Sequence, residues 1–328
     1  MDINSIKEYL GREWADVRER IGSALESDID LLNRTNSFIL EHSGKQMRPL
    51  LALLVARACQ GGGLAVDSSI RYAVASELLH NATLLHDDVA DGSEQRRGVP
   101  TVMSLMGPSV SVLVGDYWLV KAMELILGDS ESDTRVIKIF SKTLSDLAEG
   151  EMLQLQKAQA GDTDESDYLK IIYNKTASLF EAACVSAAVS VNASKEYEQA
   201  VRDYAVALGL AFQIKDDILD YSGTDSVGKP LGVDILEQKI TMPLLGAFRN
   251  SSQEEESRIR DMVRRISDNP GFRDEILDFV KKNKGLEYAM NQLEAYVSKA
   301  VKVLDVLPDT EEKKYLTDLA YFTAKRVM

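Results

Sequence analysis

Leu84-Leu85-His86-Asp87-Asp88-Val89-Ala90-Asp91 contains the pattern Asp-Asp-x-x-Asp, and Phe212-Gln213-Ile214-Lys215-Asp216-Asp217-Ile218-Leu219-Asp220 repeats it far along the chain. In each copy the first and third aspartates are four residues apart, which places them on one face of a helix. Upstream of the first copy, Ile70, Val74, Leu78, Ala82, Leu85 and Val89 form an apolar stripe at helical spacing. The other face carries His80, Thr83, Asp87 and Asp91. A single stripe of this kind fits a solvated face as well as a polar cavity. Its recurrence argues for the cavity. Like charges at this spacing repel by about 0.2–0.5 kcal/mol per pair even when exposed. Beside Ile218 and Leu219, such crowding points to a bound cation. Carboxylates are hard ligands suited to magnesium, which keeps several waters and is commonly shared with phosphates. No Cys/His cluster supports structural zinc.

Helical periodicity extends over the rest of the chain, without alternating Val/Ile/Thr strand patterns. Breaks are expected at Gly61-Gly62-Gly63, Gly92 to Pro100, Gly128 to Asp133, Gly161 to Glu165, Ser222 to Gly232, Ser251 to Glu256 and Pro308-Asp309. None is long or biased enough for a domain linker, so residues 1–328 read as a single domain. At 45% hydrophobic and 27% charged residues, the chain can build a large core. A net charge of -14 argues against nucleic-acid binding. It leaves anionic substrates open, because local fields and bound metals decide those. Cys59 and Cys184 sit in apolar, alanine-rich stretches and read as reduced thiols of a cytoplasmic protein. Met1-Asp2-Ile3-Asn4 shows no signal-peptide pattern. The apolar run from Leu50 is interrupted by Arg57 and is too short for a transmembrane segment.

Cations for a diphosphate stand at the breaks. Gly44-Lys45-Gln46-Met47-Arg48-Pro49 precedes a strongly apolar helix, so its amides, Lys45 and Arg48 could meet an anion. Arg96-Arg97-Gly98 follows the first cluster, and Lys175-Thr176 lies in an apolar helix where an unpaired lysine would be costly. Gly228-Lys229-Pro230 and Lys239 follow the second cluster, in and after a glycine-bearing loop that could close over substrate. Each alone reads as surface charge. Their position beside the aspartate clusters gives them weight.

In order along the chain stand Gly-Lys-x-x-Arg-Pro, His-Asp-Asp-x-x-Asp, Arg-Arg-Gly-x-Pro-Thr, Lys-Thr, Phe-Gln-x-x-Asp-Asp-x-x-Asp, Gly-Lys-Pro-x-Gly-x-Asp and Lys-x-Thr-x-Pro. This series resembles the all-trans polyprenyl synthetases, the isoprenyl diphosphate synthases, from about Gly44 to Pro243 with helical flanks. The resemblance implies an all-α fold, a large bundle of antiparallel helices around a central cavity, and a homodimer. It implies a trans-prenyltransferase that joins isopentenyl diphosphate to an allylic diphosphate with Mg2+. Lys45, Arg48, His80 and Arg97 are similar to the family's isopentenyl diphosphate pocket. Arg96, Lys175, Thr176, Gln213, Lys229 and Lys239 are similar to its contacts with the allylic diphosphate or its developing charge. Asp87, Asp91 and Asp216 match direct magnesium ligands, and Asp88, Asp217 and Asp220 match further ligands through water or behind the first. Val233 stands where the family often has Gln or Asp, and Gln238 where it often has Gly.

Product length can be approached through size. One helical turn rises about 5.4 Å, comparable to one extended five-carbon unit. A bulky residue one turn before the metals would stop growth, and short-product relatives tend to place an aromatic ring there. Here Ala82 and Thr83 are small, as are Ala75 and Ser76 further back. A long-chain product on the order of eight isoprene units is expected, with Met123 as candidate floor. Ordinary helix packing also explains small residues. A terpene cyclase would share the first cluster but normally lacks a second one and an isopentenyl pocket. A non-catalytic partner subunit tends to lose aspartates, and both clusters are intact here.

Overall fold

The computed structural model describes residues 2–96, 98–128, 134–222 and 231–325. The chain is all-α. Its helices are α1 (Ile3–Leu10), α2 (Arg12–Ala24), α3 (Asp30–Glu41), α4 (Met47–Cys59), α5 (Asp67–Ala90), α6 (Val102–Met106), α7 (Pro108–Leu127), α8 (Thr134–Ala160) and α9 (Glu165–Ile172). After a π-turn at Tyr173–Ala177 come α10 (Ser178–Ser190), α11 (Lys195–Ser222), α12 (Val233–Leu236), α13 (Met242–Phe248), α14 (Gln253–Arg264), α15 (Phe272–Lys282), α16 (Gly285–Val303) and α17 (Glu311–Lys325). Sequence signals set several of these starts. Asp164 with Asp167 and Ser252 with Glu255 form capping boxes at α9 and α14, satisfying amides that lack intrahelical partners. The break expected at Ser251 to Glu256 is therefore shorter, because Ser252 starts a helix at once. Pro108 opens α7, where its missing N–H does no harm. The expected loop from Gly92 to Pro100 holds a small antiparallel pairing, Gln95 with Pro100 and Arg96 with Val99, between β1 (Gln95–Arg96) and β2 (Val99–Pro100).

The chain divides into two compact units built from non-contiguous segments. The first comprises Met1–Ser141, Ala182–Val201 and Val306–Leu316. Its heart is α4, where every residue from Leu50 to Ala56 is 0% exposed. A helix apolar all round has no solvent face to keep, so it becomes the centre. Each large side chain so buried contributes about 1.5–3 kcal/mol. The long α5 packs against α4, α2 and α7. From Tyr72 to Leu79 all its faces are buried, including Ser76 and Glu77. At the end of α4, buried Arg57 bridges Glu13 (3.1 Å) and Glu312 (2.9 Å). Tyr9 donates to Glu312 at 2.5 Å and lies against Tyr315, the rings tilted by 51° with centres 5.0 Å apart.

The second unit comprises Lys142–Glu181, Arg202–Asp305 and Thr317–Met328. Fully buried α13 packs against α16, α15 and α9. Among the described residues no helix is long and apolar enough to cross a membrane.

Candidate active site

In the first unit, the aspartate cluster closes α5. Asp87 is half-buried, Asp88 is 4% exposed, and Asp91 is exposed where the helix ends, its N–H donating to the Asp87 carbonyl at 2.8 Å. Gly98, at φ 77°, lets β1 and β2 fold back on each other. This brings Arg96 onto Asp88, with Nε and Nη2 each 2.8 Å from Oδ1. Thr101 secures the hairpin by donating to the Ser93 carbonyl at 2.7 Å, and it also caps α6. Arg96, Gly98 and Thr101 of the Arg-Arg-Gly-x-Pro-Thr motif thus form one local device. Burial raises the Asp88 pKa, with Arg96 working against it. Lys45 is exposed just before α4, while Arg48 is buried in its first turn and His80 is half-buried on neighbouring α5. Gln46 enters α4 in the left-handed region, φ 56°. Ala82 is 1% exposed; Thr83 and Met123 are half-buried. Arg97 lies outside the described residues.

In the second unit, a cavity of about 150 Å³ is lined by Lys175, Thr176, Gln213, Asp217, Lys239 and also Tyr168 and Asp234. Lys175 and Thr176 sit in the π-turn, where the Ser178 N–H reaches the Tyr173 carbonyl five residues back. Lys175 forms an ion pair with Glu151 of α8. Thr176 donates to Gln213 Oε1 at 2.9 Å, and Gln213 Nε2 donates to Asp217 Oδ1 at 2.9 Å. The Tyr168 hydroxyl donates to Asp217 Oδ2 at 2.5 Å. Asp216 is half-buried on the same helix. Asp220 accepts the N–H groups of Val233 (3.0 Å) and Asp234 (3.2 Å), so it tethers the start of α12. Val233 meets the cluster through its backbone, which any residue supplies. Lys239 pairs with Glu237 at 2.5 Å. Gln238 has φ 61°, the region that favours glycine, and its side chain donates to the Arg264 carbonyl at 2.7 Å. This accounts for glycine as the usual residue there. Lys229 and its loop, residues 223–230, lie outside the described residues.

Burial pushes Asp217 up to about 7, with Asp216 and Asp220 adding to the effect and Tyr168 and Gln213 opposing it. Asp220 is raised by burial, and Asp234 is raised well above the usual range by burial and by Asp217 and Asp220. Among the described residues no three His, Cys, Asp or Glu side chains are gathered tightly enough to hold an ion alone. Carboxylate donors spaced in this way fit an ion that brings its own water and substrate oxygens, as magnesium does. Reading the sequence alone gave no role to Tyr168, Asp234 or Glu151. Asp234 was visible in Gly-x-Asp, and Tyr168 precedes Lys175 by two helical turns.

The sequence profile of the family described as polyprenyl synthetase matches residues 29–280. The chain belongs to the polyprenyl synthetase family. It is 37% identical to an octaprenyl diphosphate synthase of Haemophilus influenzae, over 99% of this chain and 98% of that one. The crystal structure of a decaprenyl diphosphate synthase from Rhodobacter capsulatus superposes with TM-score 0.92 at 34% identity, covering 100% of both chains. A polyprenyl synthase from Caulobacter crescentus CB15, complexed with calcium and isoprenyl diphosphate, gives 0.89 at 32% identity, covering 99% of this chain and 98% of that one. As a polyprenyl synthetase the chain is a prenyl-transferring enzyme, and the expected family, all-α fold and enzyme class hold.

Proposed function

We propose that this polyprenyl synthetase condenses isopentenyl diphosphate with an allylic diphosphate of farnesyl or geranylgeranyl type, repeatedly, to give a long-chain polyprenyl diphosphate. The observation that carries this reading is the second unit's cavity, whose wall joins Lys175 and Lys239 to Thr176, Gln213 and Asp217. Lys175 and Lys239, with Arg96 and Lys229, hold the allylic diphosphate and stabilise charge on it as the C1–O bond breaks and its electron pair leaves. Magnesium would be held at the first cluster by Asp87 and Asp91 with Asp88 in support, and at the second by Asp216 with Asp217 and Asp220 in support, and would supply further positive charge to the departing group. Thr176 and Gln213 offer oxygen dipoles to the allylic cation. Lys45, Arg48, His80 and Arg97 orient isopentenyl diphosphate so that its double bond attacks C1, catalysis by positioning. A proton then passes to the released diphosphate. The small side chains of Ala82 and Thr83 favour a long product, in line with the octaprenyl relative.

A homodimer is part of this reading. Leu113, Val120 and Leu127 recur every seven residues along α7 and are 67%, 54% and 47% exposed, an apolar stripe suited to a second copy. The free thiols Cys59 and Cys184 favour the cytoplasm. Purified protein given magnesium, isopentenyl diphosphate and farnesyl diphosphate should yield products near eight units by chromatography, and none with a chelator. Allylic turnover without isopentenyl diphosphate, or activity only with a second protein, would overturn the reading. Light scattering that shows a monomer would remove the dimer.

A further inference from the structure

We propose that Tyr168 is a positioning residue that fixes, through Asp217 and Gln213, the direction in which the Thr176 hydroxyl points. This rests on the roles given above to Thr176 and Gln213. Tyr168 is 2% exposed and Asp217 is 3% exposed, so neither is oriented by bulk water. Three hydrogen bonds join them in one line. Tyr168 donates to Asp217 Oδ2 at 2.5 Å, Gln213 Nε2 donates to Asp217 Oδ1 at 2.9 Å, and Thr176 donates to Gln213 Oε1 at 2.9 Å.

Tyr168 and Gln213 both donate to Asp217, one at each oxygen, so Gln213 turns its N–H toward that carboxyl. The Gln213 carbonyl then faces Thr176 and only accepts. Thr176 has one proton and must direct it to that carbonyl. Its lone pairs are left for the cavity that Thr176 lines. An oxygen without an outward proton can stabilise an allylic cation. With Gln213 flipped, its N–H would take up a Thr176 lone pair and leave the hydroxyl proton free to turn toward the cation. Tyr168 is what stops the Asp217 carboxylate from rotating: it holds the second oxygen, as Gln213 holds the first. Linked bonds in a dry site also strengthen one another. The tyrosine lies at the end of the line away from Thr176, on the wall of the same cavity.

The test uses the full-length enzyme with magnesium, and the single-turnover rate of the first condensation, so that product release does not mask the step. Tyr168→Phe removes one hydroxyl from a buried ring and should slow condensation about ten-fold, with the KM for isopentenyl diphosphate and the half-saturating magnesium concentration unchanged. In a Thr176→Val background, itself slower, the same substitution should change the rate less than about two-fold, because nothing remains for the line to orient. A Tyr168→Phe rate within about two-fold of the parent overturns the proposal. So does an equal loss in both backgrounds, or a shift in half-saturating magnesium that accounts for the whole loss. An inactive parent enzyme would instead sink the prenyl-transfer reading.

Discussion

Replacing Gly209 with alanine should cripple catalysis far more than it harms stability. Gly209 lies on α11, and a Cβ there would stand 2.5 Å from Ala177 Cα and 2.7 Å from Ala177 Cβ. Ordinary contact begins at 3.4 Å. Relief therefore requires the π-turn and α11 to part by about 1 Å, and overpacking of this kind costs about 1–3 kcal/mol. For 328 residues the unfolding entropy converts this into a Tm loss of about 1.5–4 °C. Thr176 and Lys175 ride on the same turn. A misplacement of about 1 Å at reacting groups can lower a rate on the order of 100-fold. Calorimetry and single-turnover condensation read the two effects separately. Gly22→Ala is the control: nothing lies within 4 Å of a Cβ at Gly22, and the change should raise stability by about 0.4–1 kcal/mol without altering the rate. A Gly209→Ala enzyme that condenses within about three-fold of the parent would refute the claim that packing against α11 sets the turn.

Gln238→Ala keeps the left-handed backbone and removes the bond to Arg264, so it should lower stability by about 1 kcal/mol in chemical denaturation. Gln238→Gly relieves the backbone while losing the same bond, and should fall within about 0.5 kcal/mol of the parent; a glycine variant no better than the alanine one would contradict this. Ala82→Tyr should shorten the product by several five-carbon units in chromatography, and an unchanged product length would defeat the assignment of Ala82.

The helical fold was legible because burial and periodicity coincide over most of the chain. α4 and the upstream part of α5 show the limit. Their faces are all buried, so periodicity said little and continuous apolarity said more. The aspartates were legible because four-residue spacing is a local property. What escaped depends on contacts between distant segments. The π-turn needs glycine beside it, at Gly150 on α8 and Gly209 on α11. The hairpin that returns Arg96 to Asp88 is too short to show alternation. Gln46 and Gln238 occupy left-handed backbone that residue type did not announce. Tyr168 is buried, and its hydroxyl meets the carboxylate of a residue 49 positions away, a contact that no local pattern announces.

The clamp at Arg57 bears on how the chain is made. Tyr9 and Glu312 are separated by 303 positions, yet they close the same side of the first unit. At about 5–20 residues per second, a ribosome delivers Glu312 roughly 15–60 s after Tyr9. Through that interval α1 lacks part of its docking surface, and the guanidinium of Arg57 has Glu13 and Tyr9 as partners but not Glu312. Nascent chains halted before Glu312 should therefore be open to protease at α1, however much of the interior has already condensed.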